Sequence, residues 1–311
     1  MGDEPSEELA AFTENSEATP YSKKPSFTET GLKTLITEFA LALMAWKDDH
    51  WTPSGTAVLV GGYGLAMTAN HVITDYWDRY ERAPLSEGNS EGSFQIMALQ
   101  MLDGGEIAAP WLVHKIWLSP YTDAAFLGLA PAAETEAVRD RQVQGRGVRM
   151  NLLPPSVGSR VVAFGYHSPN IEIREQEGEG VIKWNDSPTT SVGQVLEVYE
   201  HGRDTVMLPF PCYRTNARSK PGMSGAPVFN DSGQLCGLIS TAMEGGEDEG
   251  DHIYYAAALW PSMGTQIDAE RPGFPAGVSY PALELAKHGY IAALHWDKVV
   301  LREDPPGVGL R

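Results

Sequence analysis

The sequence predicts an all-β protein, built as a barrel or a sandwich of antiparallel strands. Roughly a dozen short apolar runs are separated by turn residues along most of the chain. The 32 Gly and 22 Pro residues are spread over the whole length, which is typical of turn-rich β proteins rather than helical ones. An Asp103-Gly104 pair between two apolar runs predicts a tight hairpin, as antiparallel pairing requires.

The N-terminal part carries little apolar surface. Residues 1–29 are rich in Glu, Ser, Thr and Pro, so they bury too little surface to offset their ordering entropy. We therefore expect a flexible acidic tail over 1–29. Residues 32–46 are mostly apolar, and their first half predicts a helical turn or two. Residues 39–46 fit a buried strand, although periodicity does not separate strand from helix in so short a run.

Strand patterns become clear after residue 54 and continue to residue 258. The predicted strands are residues 55–60, 63–68, 94–101, 106–113, 123–129, 161–166, 192–199, 205–208, 226–229, 235–240 and 253–258. Residues 263–311 change character and are expected to form a C-terminal extension. Its best helix candidate is 282–296, with Gly289 as the weak point because glycine disfavours helix interiors.

Composition limits the partners of the chain. The net charge of −18 argues against a phosphate-binding surface, so no nucleic acid partner is expected. No apolar run reaches about 18 residues, so no membrane span is expected. An acidic N-terminus without an apolar signal region, and only two cysteines (Cys212 and Cys236), favour buried thiols in a cytoplasmic protein. The histidines lack metal-ligand spacing, so neither metal nor cofactor is expected.

Three separate stretches carry residues for covalent acyl transfer. Ser224 lies between Gly222 and Gly225, whose conformational freedom suits a turn that exposes a nucleophilic hydroxyl. This signal is weak by itself, because glycine and serine also dominate ordinary turns. His71 and Asp123, however, each stand at a strand end. His71 is a candidate base, and Asp123 is a candidate acid that would orient the histidine.

Other acidic residues compete with Asp123 for this role. Asp75 and Asp78 follow His71 too closely to lie on another strand, and Asp103 is explained by its turn. Asp123 is therefore the candidate that remains.

These stretches resemble the trypsin-like (chymotrypsin-fold) serine peptidases. The three matching motifs, in the family order, are Thr68-Ala69-Asn70-His71-Val72, Asp123-Ala124-Ala125-Phe126-Leu127 and Lys220-Pro221-Gly222-Met223-Ser224-Gly225-Ala226-Pro227. The hairpin at Asp103 is most like the bacterial high-temperature-requirement (Deg-type) branch. The resemblance covers about residues 35–262.

The resemblance implies the fold and the domains. The fold would be two six-stranded antiparallel Greek-key barrels within a peptidase domain of residues 30–262, with the site between them. The extension at 263–311 would be too short for the peptide-binding (PDZ) module that Deg-type proteins usually append.

The resemblance also implies a role for each site residue. Ser224 would be the nucleophile, His71 the general base and Asp123 its orienter, in a serine endopeptidase that acts on proteins or peptides. The backbone N–H groups of Gly222 and Ser224 would form the oxyanion hole. The substrate-binding backbone would come from a further set: Ser240, Thr241 and Ala242.

Departures from the family bear on activation and specificity. Met223 replaces the aspartate that secreted members use to bind a newly cleaved N-terminus, and Asn70 replaces a usual alanine. By the family alignment Arg218 would lie near the specificity pocket and favour acidic or polar side chains. The acidic run 244–251 would instead favour basic substrates, so specificity stays open.

Two alternatives remain for the function. The chain could hold its oxyanion hole unformed until an effector or partner binds. It could also be an inactive peptidase-fold protein that binds extended peptides by strand addition.

Overall fold

The computed structural model describes most of the chain from residue 26 onward. The described residues are 26–29, 35–47, 50–79, 90–91, 96–133, 135–144, 147–167, 170–176, 179–185, 188–243, 253–268, 274–275, 277–303 and 306–311. The predicted tail up to residue 25 and the acidic run 244–251 lie outside them. Residues 26–29, also assigned to the tail by the sequence, form a strand instead, because they pair with a strand near residue 190.

The described elements are mostly short strands. The strands are β1 (Ser26–Glu29), β2 (Ala40–Lys47), β3 (His50–Gly61), β4 (Leu65–Thr68), β5 (Ser90–Glu91), β6 (Ile96–Leu102), β7 (Ile107–Leu118), β8 (Ala125–Pro131), β9 (Met150–Asn151), β10 (Arg160–Gly165), β11 (Asn170–Gln176), β12 (Glu179–Asn185), β13 (Thr189–Tyr199), β14 (Cys212–Arg218), β15 (Pro227–Asn230), β16 (Leu235–Met243), β17 (Ile253–Ala258), β18 (Gln266–Ile267), β19 (Tyr280–Pro281), β20 (Ala293–Leu294), β21 (Val299–Glu303) and β22 (Pro306–Leu310). The helices are α1 (Asn70–Arg79), α2 (Glu136–Gln144) and α3 (Ala282–Lys287), with 3₁₀ turns at Leu35–Glu38, Asp103–Gly105, Trp260–Gly264 and Trp296–Lys298.

Each half of the protein is a closed six-stranded antiparallel barrel, as the sequence predicted. The first barrel has the order β7-β6-β2-β3-β4-β8 and closes through β7 and β8. The second has the order β15-β10-β13-β14-β17-β16 and closes through β15 and β16. Closure removes the unpaired sheet edges that would otherwise invite aggregation.

Strand β6 illustrates why these apolar runs are continuous rather than alternating. All seven of its residues are buried. Ile96 and Ala98 face the interior of the first barrel, and Met97, Leu99 and Met101 face a cluster between the barrels. Because both faces of the strand are covered, its positions are apolar except Gln100, whose buried amide donates to Glu38 O and accepts from the Trp111 ring N–H.

That cluster between the barrels also holds the C-terminal residues. It joins Val58 and Met67 of the first barrel, Phe229 of the second, and Leu283 and Ile291 of the extension. The two barrels and the described part of residues 263–311 therefore share this cluster, in addition to the separate core inside each barrel.

The sixth strand of the second barrel is β14, and the predicted strand at 205–208 is wrong. In β14 the buried residues Tyr213, Thr215 and Ala217 alternate with half-buried polar ones. Residues 205–208 form a turn, because the Asp204 carboxylate accepts hydrogen bonds from the backbone N–H groups of residues 206–208.

The helix predicted over 282–296 is shorter than expected. It ends at Lys287, and Gly289 follows with φ +78°. The N–H of Tyr290 donates to Leu285 O (2.9 Å), and the N–H of Gly289 donates to Ala286 O (3.1 Å). This is a Schellman motif, so Gly289 terminates the helix rather than weakening it. Among the described helices, none is long and apolar enough to cross a membrane.

Candidate active site

His71 and Asp123 are presented by neighbouring segments of the first barrel. His71 lies in the first turn of α1, directly after β4, and not at a strand end as the sequence indicated. Asp123 lies in the short loop between β7 and β8. Because β4 pairs with β8, with Thr68 opposite Ala125, the two side chains meet at one end of the barrel.

The two side chains form a hydrogen-bonded pair. His71 Nδ1 lies 2.8 Å from Asp123 Oδ2, and the backbone N–H of His71 donates to Asp123 Oδ1 at 3.0 Å. The His71 side chain is 32% exposed and that of Asp123 10%. Since an ionised carboxylate only accepts hydrogen bonds, it holds the proton on Nδ1 and leaves the Nε2 lone pair free to take up a proton.

Each group changes the pKa of the other. Burial lowers the pKa of His71, but the hydrogen bond and charge of Asp123 outweigh it and raise that pKa above the ordinary 6.5. Burial raises the pKa of Asp123, yet the His71 contacts and the Ser240 hydroxyl bring it below the ordinary 3.8. The pair is therefore suited to hold a proton on the imidazole while the carboxylate stays ionised.

Ser240 contributes to the site in a way that the sequence did not predict. Its backbone was expected to bind substrate, but its buried hydroxyl donates to Asp123 Oδ2 at 2.5 Å. Asp123 thus accepts from three donors: the His71 ring, the His71 backbone and Ser240. The two residues are 117 positions apart, so no local pattern could reveal this contact.

We expect Ser240→Ala to destabilise the fold by about 1–3 kcal/mol near neutral pH, since a buried carboxylate loses a donor. A depressed carboxyl pKa gives stability that is present above the ordinary pKa of 3.8 and lost as pH falls through the folded-state pKa. The difference in unfolding free energy between wild type and variant should therefore shrink on acidification. Denaturant unfolding at several pH values measures it.

Ser262→Ala is the matched control for this experiment. The buried hydroxyl of Ser262 donates to Leu259 O at 2.6 Å, which is a neutral acceptor. Its removal should destabilise the fold by a similar amount at every pH. An equal, pH-independent loss for Ser240→Ala would contradict the role assigned to Asp123 ionisation.

Asn70 links the segment that carries His71 to the loop that carries Asp123. Its Nδ2 group donates to Ser119 O (2.8 Å) and to Thr122 O (3.1 Å), both in the loop that holds Asp123. The Asn70 side chain, which stands where the family usually has alanine, therefore links the start of α1 to that loop.

The Ser224 turn packs against the same end of the first barrel. The carbonyl of Ser224 accepts from the N–H of Thr56 at 2.9 Å, and the N–H of Gly225 donates to Ile239 O at 2.8 Å. Gly225 has φ +78°, and a Cβ built on it would lie 2.2 Å from Thr68 Oγ1 and 2.9 Å from the backbone N of Ala69. Only glycine fits there. The turn thus abuts residues that precede His71 by two and three positions.

Thr56 is a second residue whose role the sequence did not reveal. Its buried hydroxyl accepts from the N–H of Tyr166 at 3.1 Å and donates to the carbonyl of Gly222 at 3.3 Å. Tyr166 follows β10 of the second barrel, while Thr56 belongs to β3 of the first. One hydroxyl group therefore joins both barrels to the Ser224 turn.

Two backbone N–H groups of this turn have no hydrogen-bond acceptor among the described residues. They are those of Gly222 (φ +92°) and Ser224, whereas the intervening N–H of Met223 donates to Lys220 O at 3.1 Å. Met223 itself is fully buried inside the second barrel, where its apolar side chain packs in place of a charged one.

The remaining predicted residues lie on neighbouring strands of the second barrel. Thr241 and Ala242 continue β16 beyond Ser240 and pair with β17 on one edge, while β15 pairs only with earlier residues of β16. Half-buried Arg218 ends β14 opposite Ile253. It does not line the described cleft beside His71, which holds Thr241. In the described part of the chain no group of three or more His, Cys, Asp or Glu side chains is placed to hold a metal ion.

Comparison with known proteins places the chain in a family. No curated protein has a significantly similar sequence. Among solved structures, the inactive form of a mutant of Rv3671c from M. tuberculosis H37Rv is similar, with 15% identity and a TM-score of 0.43, over 72% of this chain and 82% of that chain. The MamO protease domain from Magnetospirillum magneticum is similar with 17% identity and a TM-score of 0.41, over 71% of this chain and 92% of that one. The model of the trypsin-like peptidase domain matches residues 55–238, more than half of the chain, and so this protein belongs to the trypsin-like peptidase family.

Proposed function

We propose that the protein is a serine endopeptidase in which Ser224, His71 and Asp123 act as the catalytic triad. The observation that carries this proposal is the 2.8 Å contact of His71 Nδ1 with Asp123, beside the segment against which the Ser224 turn packs. A base held in one tautomer by a buried carboxylate, together with a half-buried serine in a tight turn at the same end of the barrel, is the arrangement that activates a hydroxyl nucleophile.

We propose the following steps for the reaction. Ser224 Oγ attacks the scissile carbonyl carbon while His71 Nε2 takes up the hydroxyl proton, and Asp123 stabilises the resulting imidazolium. The N–H groups of Gly222 and Ser224 stabilise the oxyanion. His71 then gives its proton to the leaving amine, and a water molecule, deprotonated by His71, hydrolyses the acyl-enzyme.

Support for the oxyanion hole comes from the same turn. The N–H groups of Gly222 and Ser224 donate to no other described residue, and the Thr56 hydroxyl holds the Gly222 carbonyl. Donors that need no reorganisation during the reaction are the ones that lower the barrier, by about 10²–10³-fold in rate for one donor.

Extended peptide is the substrate that the strand geometry favours. Thr241 and Ala242 pair with β17 on one edge, Ser240 lies at the irregularity just before them, and the opposite edge has no strand partner among the described residues. A peptide could add to that edge through main-chain hydrogen bonds. We also interpret the hairpin at Asp103–Gly105 as a feature of the Deg-type branch. This interpretation favours a bacterial source for the protein.

Labelling with a fluorophosphonate probe tests the proposed function. We expect one adduct, mapped by mass spectrometry to Ser224, because only an activated serine reacts with such a probe. Ser224→Ala should abolish the adduct, and Ser232→Ala, at an exposed serine elsewhere in the second barrel, should preserve it. A folded chain that forms no adduct would contradict a constitutively active triad and favour a gated or binding role.

A further inference from the structure

The loop that carries Asp123 is supported from two sides. On one side Asn70 of α1 donates two hydrogen bonds to the backbone of this loop. On the other side the C-terminal extension meets the loop at Tyr121. The match to the trypsin-like peptidase domain ends at residue 238, so this second support comes from outside the matched residues.

Gly264 is the point at which the extension contacts this loop. It ends the 3₁₀ turn Trp260–Gly264, whose residues are all buried, and the hairpin of β21 and β22 packs on this turn. A Cβ built on Gly264 would lie 2.7 Å from Tyr121 Cε2 and 2.5 Å from Val308 Cγ2 of β22. Both side chains therefore pack on the same face of Gly264, where a methyl group fits only if one of them moves.

The Val308 side chain is itself held by the protein interior. Together with Leu301 and Leu310 of the same hairpin, it packs against the hydrophobic cluster between the barrels. Because interiors are close-packed, Val308 has little room to move away from Gly264. The position of the Tyr121 ring therefore depends on the C-terminal hairpin.

A second contact joins the extension to the strand that leads into the loop. Asp268 follows β18, and its Oδ1 accepts from the ring N–H of Trp117 at 2.6 Å, while its Oδ2 lies 3.4 Å from Lys115 Nζ. The Lys115 and Asp268 side chains are 17% and 13% exposed, so solvent screens this ion pair less than a surface pair. Both partners of Asp268 lie in the last four residues of β7, so this contact fixes the direction in which β7 enters the loop.

We propose that the C-terminal extension is a positioning element for Asp123, with Gly264 and Val308 as its positioning residues. These two residues set the place of the Tyr121 ring, and the ring sets the place of the loop two residues before Asp123. The inference rests on the proposed function and deepens it. A shift of the loop would lengthen the 2.8 Å contact between Asp123 Oδ2 and His71 Nδ1, and misplacement by about 1 Å costs on the order of 10²-fold in rate.

Gly264→Ala tests the proposal by adding one methyl group between the hairpin and the loop. We expect the maximal rate of fluorophosphonate labelling to fall on the order of tenfold. The midpoint of the pH profile should move to lower pH, because Asp123 raises the pKa of His71 and does so less when it is displaced. Asp75, the other carboxylate that raises this pKa, belongs to α1 and is unchanged in the variant.

Val308→Ala is a second variant, which removes a contact of Gly264 instead of crowding it. It should slow labelling and lower the midpoint in the same way, and it keeps the proposal open to test if Gly264→Ala does not fold.

Two other variants of the extension are controls. Gly309→Ala adds a methyl group next to Val308 in the chain, but the three atoms nearest to the built Cβ belong to the Arg302 guanidinium, at 3.2 Å or more. Gly289→Ala strains the backbone after α3 and meets nothing within 4 Å. Both should keep the wild-type midpoint and a labelling rate within about twofold. An equal loss of rate in Gly289→Ala and Gly264→Ala would mean that destabilisation alone slows labelling, and would overturn the proposal.

A double-variant cycle with Asp123→Asn tests whether the effect passes through Asp123. If it does, Gly264→Ala should slow the residual labelling of the Asp123→Asn chain by less than about twofold, because the contact that it disturbs is already lost. A further tenfold loss in this background would contradict action through Asp123.

Titration of the His71 ring, followed by NMR, separates this proposal from the proposed function because it requires no catalysis. A wild-type chain that forms no adduct contradicts the proposed function, and a lower pKa of His71 in Gly264→Ala than in wild type would still support the positioning role. A chain that forms the adduct, with a rate and a His71 pKa that neither Gly264→Ala nor Val308→Ala changes, supports the function and overturns the positioning role.

Discussion

Replacing Asp123 with Asn is expected to reduce kcat for peptide hydrolysis by about 10⁴-fold, while the protein stays folded. The amide is close in shape to the carboxylate but presents an N–H₂ donor, which favours the His71 tautomer with its proton on Nε2. That tautomer cannot take up the Ser224 proton. The rate of fluorophosphonate labelling measures the loss without knowledge of the natural substrate.

The pH profile of labelling gives a second readout for the same variant. In the wild type Asp123 raises the pKa of His71 above 6.5, so labelling should rise with pH through a midpoint above that value. Loss of the carboxylate charge should move the midpoint of the residual activity to lower pH.

Asp75→Asn is the matched control, because it also removes one negative charge near His71. Asp75 is exposed, lies one turn further along α1 and acts on His71 only through its charge. It should shift the midpoint slightly and leave the maximal rate within about threefold, as expected for an exposed charge screened by solvent. If Asp123→Asn kept more than about a tenth of the wild-type rate, Asp123 would not be the orienter of His71.

Gly225→Ala is expected to destabilise the fold by roughly 2–5 kcal/mol and to slow labelling of Ser224 by about 10²-fold. The new methyl group would lie 2.2 Å from Thr68 Oγ1 and 2.4 Å from Thr56 O, so the turn must shift away from the first barrel. A nucleophile displaced by about 1 Å loses most of its reactivity. Thermal unfolding and labelling rates measure the two effects.

Gly289→Ala separates steric crowding from backbone strain. Gly289 has the same φ of +78°, but a Cβ built there meets nothing within 4 Å. The substitution should cost only the strain of a left-handed conformation, about 1–2 kcal/mol, with labelling unchanged. Equal destabilisation by the two variants would mean that the contacts of Gly225 with the first barrel do not constrain the turn.

Much of the fold could be predicted because apolar runs and turn residues carry local signals. The hairpin at Asp103 and the buried strands near His71 and Asp123 follow from such patterns. The turn at 205–208 could not, since its Thr-Val-Met-Leu sequence has strand propensity and only the Asp204 carboxylate overrides it. Strand β14 carried an alternating signal in Tyr213, Thr215 and Ala217 that its interspersed arginines obscured.

The site residues also divide into those with a local sequence signal and those without one. His71, Asp123 and Ser224 lie in recognisable local motifs, and the structure brings the first two into hydrogen-bond contact. Ser240 and Thr56 act through side-chain contacts with residues more than 100 positions away, which leave no pattern in a single sequence. Their roles depend on barrel closure and therefore required the three-dimensional structure.

The Thr56 hydroxyl, which joins both barrels to the Ser224 turn, has a consequence for the timing of folding. Its contact with Gly222 closes a loop of 166 residues, and its contact with Tyr166 closes one of 110. Long-range contacts of this kind form late, because the entropy of loop closure opposes them until most of the chain is ordered. A nascent or partly unfolded chain therefore has no assembled Ser224 turn, so any activity that depends on this turn would arise only when both barrels have folded.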